Sequence, residues 1–207
     1  MQHRDSISVA AILLAAGQAR RMGENGPHKL LAEFDGMPLV RRSAAVLLAS
    51  NATPAIAVTG HRRDDIEQAL AGLGIDIAFN PFYRTGMGSS VACGVSHPQI
   101  AGCDGVLVML ADMPGIMTEH IDSLVYAFQR SGGEVIVRAG FREKPGHPVV
   151  FPKVLHKDLR ALTGDFGARK LIVESNLPVA TIDIGPAALL DVDTPMAIIE
   201  NGGVLRT

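Results

Sequence analysis

Two groups of residues in this sequence have the types and spacing for chemistry. The first is the run Leu14-Ala15-Ala16-Gly17-Gln18-Ala19-Arg20-Arg21-Met22-Gly23, with Lys29 just beyond it. Its small residues follow an apolar run of strand length, so backbone N–H groups can approach a phosphate chain closely while Arg21 and Lys29 neutralise its charge. The run contains neither G-x-x-x-x-G-K-[ST] nor G-x-G-x-x-G, which sets aside a Walker loop and a dinucleotide fingerprint. By itself it also fits, as the lesser alternative, an ordinary strand-to-helix turn with solvated arginines. The second group is a pair of carboxylates, Asp112 and Asp193. Asp112 ends the most apolar run of the chain and precedes Met113-Pro114; an unpaired carboxylate there is costly to desolvate, and a bound Mg²⁺ removes that cost. Asp193 stands before Thr194-Pro195, where a helix begins, so both acids can converge at one sheet edge; Asp191 or Asp193 can also serve merely as that helix's N-cap.

Other candidates are weaker alone. Asn80, Ser89 and Ser90 offer neutral hydrogen-bonding groups suited to a base or ribose, and read equally as turn and cap residues. His147 lies beside Pro148 on an expected hairpin, where a lone histidine is commonly structural. Asp165 is a natural N-cap with Arg169 four residues on, on the same helical face, where a surface ion pair is the bland alternative. His61, Arg62 and Arg63 read as a solvated helix start, with contact to the base as the lesser alternative.

The elements that must position these residues alternate. Strand-like runs at 8–14, 55–59, 75–79 and 105–110 are separated by helical patterns at about 39–50, 64–73 and 90–95, the last with Ser89 as its expected N-cap, and Thr118 is expected to cap a helix running to about 130. That alternation predicts βαβ units, a mostly parallel sheet and helices on both faces. The tail departs from it. Runs at 134–139 and 148–151 are joined by the polar stretch Arg142-Glu143-Lys144-Pro145-Gly146, which predicts an antiparallel hairpin; short helices at 153–162 and 166–174, a strand at 179–184 and a last helix from Thr194 follow. Ligands of open α/β sheets bind beyond the carboxyl ends of the strands, which places the chemistry in the loops after 14, 59, 80, 110 and 184.

Composition narrows the function classes. With 207 residues, 47% apolar and 19% charged, the chain has a globular balance and the size of one domain. A formal charge of -2, only two tyrosines and no tryptophan give neither bulk attraction for nucleic acid nor a stacking platform. Cys93 and Cys103 lack zinc-ligand spacing and read as free thiols in a reducing compartment. The apolar stretch 9–16 reads as a buried strand rather than a signal peptide, and no run approaches membrane-span length. A cytoplasmic protein without nucleic-acid or membrane partners is therefore expected.

The first segment resembles the signature L-A-[AG]-G-x-S-x-R-M-G-x-x-x-K of the molybdenum-cofactor nucleotidyltransferase family. Further segments agree in order: Gly86-Met87-Gly88-Ser89-Ser90 with G-M-x-x-S, Ala111-Asp112-Met113-Pro114 with [GA]-D-M-P, and Gly146-His147-Pro148 with G-H-P. Gly164-Asp165-Phe166-Gly167-Ala168-Arg169 matches G-D-x-G-A-R, and Asp191-Val192-Asp193-Thr194-Pro195 matches D-x-[DN]-T-P. The last three are typical of the cytidylyltransferase branch. Two departures stand out: Ala19 replaces the common Ser or Thr, and five residues separate Gly23 from Lys29 where two or three are usual.

The resemblance, which covers about residues 8–200, implies a three-layer α/β/α Rossmann-like nucleotidyltransferase fold in a single domain over 1–207, with a mostly parallel sheet and an antiparallel hairpin element. It implies transfer of CMP from CTP to a molybdopterin-type cofactor with release of pyrophosphate, and transient contact with a molybdoenzyme or its chaperone. Arg21, Lys29 and Asp112 become the catalytic residues, and Asp112 and Asp193 the Mg²⁺ ligands. Leu14, Ala15, Ala16, Gly17, Arg21, Lys29, Asn80, Ser89 and Ser90 become nucleotide contacts, and His147, Asp165 and Arg169 acceptor contacts. Ala16 stands where the guanylyl branch has Gly, which implies cytosine. Competing readings are a sugar- or polyol-phosphate nucleotidyltransferase, a relative with an oxidoreductase role, and a noncatalytic cofactor-binding protein.

Overall fold

The computed structural model describes residues 7–23, 26–164 and 167–205. The chain opens with β1 (Val9–Ala15), then a small ribbon of β2 (Glu33–Phe34) and β3 (Met37–Pro38), followed by α1 (Leu39–Leu48), β4 (Ala55–Thr59), α2 (Arg63–Leu70) and β5 (Asp76–Phe79). Next come α3 (Met87–Val95), β6 (Gly105–Leu110), α4 (Thr118–Arg130), β7 (Ile136–Phe141) and β8 (Lys144–Pro152). The chain continues through α5 (His156–Arg160), α6 (Gly167–Glu174), β9 (Val179–Asp183) and α7 (Pro195–Glu200).

Seven strands form one sheet in the order β5-β4-β1-β6-β8-β7-β9. β8 runs antiparallel to both its neighbours, while the other pairings are parallel. Alternation along β1 builds the two layers that cover the sheet. Val9, Ala11, Leu13 and Ala15 join a core with Val40, Ala44 and Leu47 of α1, Ile66 of α2 and Phe128 of α4. Ala10, Ile12 and Leu14 face the opposite core, with Val91 and Val95 of α3 and Leu159 of α5. The fold is thus a three-layer α/β/α Rossmann-like fold with a small additional antiparallel ribbon. From β1 the chain winds outward through β4 and β5 and then returns to place β6 on β1's other side, so the topological switch point lies between β1 and β6.

The details differ from the sequence expectation in places that have local causes. The hairpin turn is the pair Arg142-Glu143, at φ 47° and 67°, and Lys144 to Gly146 already belong to β8; neither turn residue is Gly or Asn, so the turn carries no sequence signal. Helix α3 starts at Met87, with Gly86 at the cap position, and Ser89 lies inside it. Met117 takes the cap position expected of Thr118, whose hydroxyl instead donates to the Val46 carbonyl at 3.2 Å. β2 and β3 are two residues each, too short to register as a pattern. Among the described residues no helix is long and apolar enough to cross a membrane.

One buried group sets an acid limit on the fold. His156 is buried, its Nε2 has no hydrogen-bond partner among the described residues, and burial, aided by Arg160 and Lys153, holds its pKa down to about 4. Between pH 6.5 and 4 the unfolded chain therefore binds a proton that the folded chain refuses. Stability from this site is complete above pH 6.5 and falls as pH drops, by about 1.4 kcal/mol per unit. Thermal melts from pH 7 to 4.5 should show a loss that is clearly smaller in His156→Gln; equal slopes would refute this.

Candidate active site

The loop after β1 is shaped by Ala19, which sits in the left-handed region at φ 50°, and by Gly23 at φ 90°, with a single 3₁₀ turn of Arg20–Met22 between them. Among the described residues, the backbone N–H groups of Gly17, Gln18 and Ala19 find no acceptor in the protein. Successive free N–H groups at a strand end form a concavity for an anion. His28 ties this loop to the segment carrying Lys29. Its Nδ1 accepts from the Leu30 N–H at 3.4 Å, so Nε2 carries the hydrogen and donates to the Gly17 carbonyl at 3.2 Å. Burial lowers the His28 pKa to about 4, with His61, Arg62 and Lys29 contributing, which keeps the ring neutral.

The carboxylates arrive from two distant segments, and backbone hydrogen bonds bring them together. Ala111 N–H donates to the Leu14 carbonyl at 3.1 Å, which fixes the end of β6 beside the loop, and Val192 N–H donates to the Asp112 carbonyl at 3.0 Å. Val192 is buried in a small core with Met22 and Ile198, so its neighbours Asp191 and Asp193 flank an anchored residue. Thr194 caps α7, its hydroxyl accepting from the Ala197 N–H at 3.1 Å, which leaves Asp193 free of that duty.

Lys29 lies between the acids. Its Nζ donates to Asp112 Oδ2 and, at 2.5 Å, to Asp193 Oδ1, while Arg21 Nη1 donates to Asp193 Oδ2 at 2.6 Å. Burial alone would lower the Lys29 pKa, but the charge and hydrogen bond of Asp112, with those of Asp193, outweigh it and raise the value, so the ammonium stays protonated. Desolvation likewise opposes ionisation of Asp193, and Lys29 and Arg21 overcome it to hold that carboxyl below its ordinary value. Asp191 goes the other way, pushed up by desolvation and by the charges of Asp193 and Asp112.

Asp112, Asp191 and Asp193 each present an oxygen within 4.8 Å of the others. Asp112 Oδ1 is buried without a hydrogen-bond partner among the described residues. Three acids facing two cations leave an excess of negative charge and an orphan oxygen, and a donor set made of carboxylate oxygens suits a hard divalent cation. The residues present therefore fit a divalent metal. The sequence had offered Asp191 chiefly as a cap; its spacing of two from Asp193 was the available signal. His28, at the centre of the loop's hydrogen bonding, was missed, and only its place next to Lys29 could have drawn attention to it.

A cavity of about 430 Å³ opens beside these groups, bordered by Leu14, Gly17, Tyr83, Ser90, Lys29 and Asp112. Ala15 and Ala16 are buried, and Ala16 lines the cavity. Gly60 explains part of the wall: a Cβ there would stand 2.8 Å from the Ala16 methyl and 2.7 Å from Tyr83 Cβ. Asn80 is buried at the end of β5. Its amide nitrogen donates to Ser89 Oγ at 2.9 Å and Ser90 Oγ at 3.0 Å, and its oxygen accepts from the Phe82 N–H at 2.9 Å.

His147 stands on β8 close enough to Asp112 for that charge to act on it, though burial dominates and keeps its pKa low; its Nδ1 has no partner among the described residues. Arg169 is exposed on α6, away from the carboxylates' hydrogen bonds. Asp165 lies outside the described residues. Gly88 N–H donates to the Gly164 carbonyl at 2.7 Å, so the segment before α6 adjoins the start of α3.

Residues 11–179 match the family described as the MobA-like NTP transferase domain. The purine catabolism protein PucB of Bacillus subtilis is 28% identical over 199 residues, which cover 89% of this chain and 91% of that protein. The bifunctional protein GlmU of Sorangium cellulosum is 32% identical over 130 residues, covering 60% of this chain but only 27% of GlmU. Among solved structures, Rv0371c of Mycobacterium tuberculosis shares the fold with a TM-score of 0.80 at 22% identity, over 96% of this chain and 98% of that one. A complex of Rv0371c with manganese superposes with a TM-score of 0.77 at 20% identity, over 94% of this chain and 98% of that one.

Proposed function

Since this chain belongs to the MobA-like NTP transferase domain family and is thereby a nucleotidyltransferase, we propose that it moves CMP from CTP onto the phosphate of a molybdopterin-type cofactor and releases pyrophosphate. The observation that carries the reading is the convergence of Lys29, Asp112 and Asp193 beside the Gly17 turn, at the switch point of the sheet. Those four groups supply charge neutralisation and positioning, which is what phosphoryl-type transfer asks of a protein. A cytoplasmic setting, where nucleotides and Mg²⁺ are abundant, accords with it.

In this reading an oxygen of the acceptor phosphate, already anionic near neutral pH, attacks the α-phosphorus in line, and the bond to the β-phosphate oxygen breaks. No side chain acts as nucleophile. The free N–H groups of Gly17, Gln18 and Ala19 take phosphate oxygens, and Arg21 and Lys29 offset the charge that grows on the leaving pyrophosphate. Asp112 and Asp193, with Asp191 beside them, would hold the Mg²⁺, which when bound would polarise the phosphate and neutralise charge. His147 and Arg169 are assigned to the acceptor, and the low pKa of His147 makes it a neutral hydrogen-bonding group rather than a cation.

The choice of CTP rests on Ala16. Ala16 lines the cavity and its methyl lies beside Tyr83 around Gly60, so it acts as part of the wall that a base would meet. Ala16→Gly should loosen that wall and shift the CTP-to-GTP ratio of kcat/KM toward GTP by roughly tenfold. Unchanged kinetics with both nucleotides would exclude this role. The function as a whole is tested by supplying each of the four nucleoside triphosphates with Mg²⁺ and a molybdopterin acceptor, following pyrophosphate and weighing the product. A CMP adduct formed fastest from CTP is expected. Turnover only with a sugar phosphate would replace the acceptor half of the proposal, and absence of pyrophosphate with every pair would overturn it.

A further inference from the structure

The stretch Gly17-Gln18-Ala19 is a partition between two cavities. Gly17, Lys29 and Asp112 border the cavity described above, His28 and His61 border a second one of about 680 Å³, and Gln18 and Ala19 reach both. The direction in which a backbone group of this stretch points therefore decides which cavity it serves. For the Gly17–Gln18 peptide that direction is set by one side chain. The Gly17 carbonyl accepts from His28 Nε2 at 3.2 Å and so faces the wall of the second cavity. The peptide bond is trans and planar, and in such a unit the C=O and N–H point opposite ways. The Gln18 N–H is accordingly turned away from His28, without an acceptor among the described residues, while Gln18 also borders the cavity of Lys29 and Asp112.

Sterics do little to hold this peptide. Gly17 is exposed, a Cβ there would meet nothing within 4 Å, and a glycine rotates without a side-chain penalty, so the plane is free to invert unless something grips it. Inverted, it would present a carbonyl oxygen where phosphate oxygens belong. His28 resists that with a fixed ring: it is buried, stacked on His61 with centroids 5.5 Å apart, and anchored at Nδ1 by the Leu30 N–H. Burial keeps the ring neutral, so it supplies orientation and not charge. It ends the lengthened stretch between Gly23 and Lys29, where this sequence departs from the family signature.

We propose that His28 is a positioning residue for the transfer: by holding the Gly17 carbonyl it keeps the Gln18 N–H aimed at the β- and γ-phosphates, on the side where Arg21 and Lys29 meet the same group. The inference rests on the nucleotidyl-transfer reading given above. Its test uses two amides that each keep one of the ring's hydrogen bonds. In His28→Gln the amide nitrogen reaches the place of Nε2 and donates to the Gly17 carbonyl, whereas His28→Asn reaches only the place of Nδ1 and keeps the bond from Leu30 alone. Titration calorimetry of the full chain with Mg²⁺ takes the nucleotide that wild type binds best, as its triphosphate and as its monophosphate, and pyrophosphate release gives kcat. His28→Asn should weaken the triphosphate roughly tenfold and the monophosphate by less than about twofold, and lower kcat roughly tenfold; His28→Gln should recover most of each loss.

Equal losses in the two variants, a monophosphate weakened as much as the triphosphate, or wild-type values in His28→Asn overturns the proposal, while triphosphate binding by wild type leaves the nucleotide reading standing. A collapse of the thermal melt in His28→Asn makes the residue structural and overturns it equally. No binding of any nucleoside triphosphate by wild type overturns both.

Discussion

Asp112→Asn should lower nucleotidyl transfer by roughly a hundred- to a thousandfold while leaving the melting temperature within a few degrees of wild type. The substitution keeps the shape of the side chain at the end of β6 and removes the charge on which a divalent cation depends. Its folding cost is small because the backbone of residues 111 and 112 is fixed independently, through Leu14, Ser43 and Val192, and because Lys29 retains Asp193. Pyrophosphate release, measured beside a thermal melt, separates the two effects. Turnover near the wild-type level would remove Asp112 from the chemistry; a collapse of the melt together with turnover would make it a structural residue.

Lys29→Met should fail differently. Its ammonium, buried between two carboxylates, is the chief compensation for a group of three acids. Without it the acids face one another, and breaking a largely buried pair by removing one partner costs about 3 kcal/mol. A cation bound to the native state alone restores stability in proportion to the logarithm of its concentration over Kd. The variant should therefore be destabilised without metal, recover with millimolar Mg²⁺ by a larger margin than wild type does, and remain at least a hundredfold slow because the pyrophosphate has lost a neutralising charge. Equal stabilisation of variant and wild type by Mg²⁺ would show that the ammonium and the metal do not share these oxygens.

The sequence carried the layers well, while the strand order, and with it the switch point between β1 and β6, is seen only in the structure. Apolar runs of strand length at 105–110 and 55–59 are signals that local physics writes strongly, and in β1 the alternation of cores on its two faces follows from the strand period alone. The hairpin was legible in kind but not in position. Lys144 and Pro145 are exposed and of types common in turns, although they pair with Phe141 and Gly140 as strand residues. Within the site, the loop and Asp112 announce themselves through neighbours in sequence. The nearness of Asp193 and Lys29, separated by 164 positions, depends on a tertiary hydrogen bond from Val192 to Asp112 that no local pattern encodes. Residue type had left Asn80, Ser89 and Ser90 as equivalent hydrogen-bonding groups, and which of them are tied to one another follows from who donates to whom, which is a property of packed geometry.

The most direct test of the account is a titration with Mn²⁺, a paramagnetic substitute for Mg²⁺, followed by electron paramagnetic resonance in the presence of CTP on wild type, Asp112→Asn and Asp193→Asn. Wild type should show a bound-ion signal, and each variant at least a tenfold weaker affinity. Identical Mn²⁺ affinity in all three proteins would contradict it.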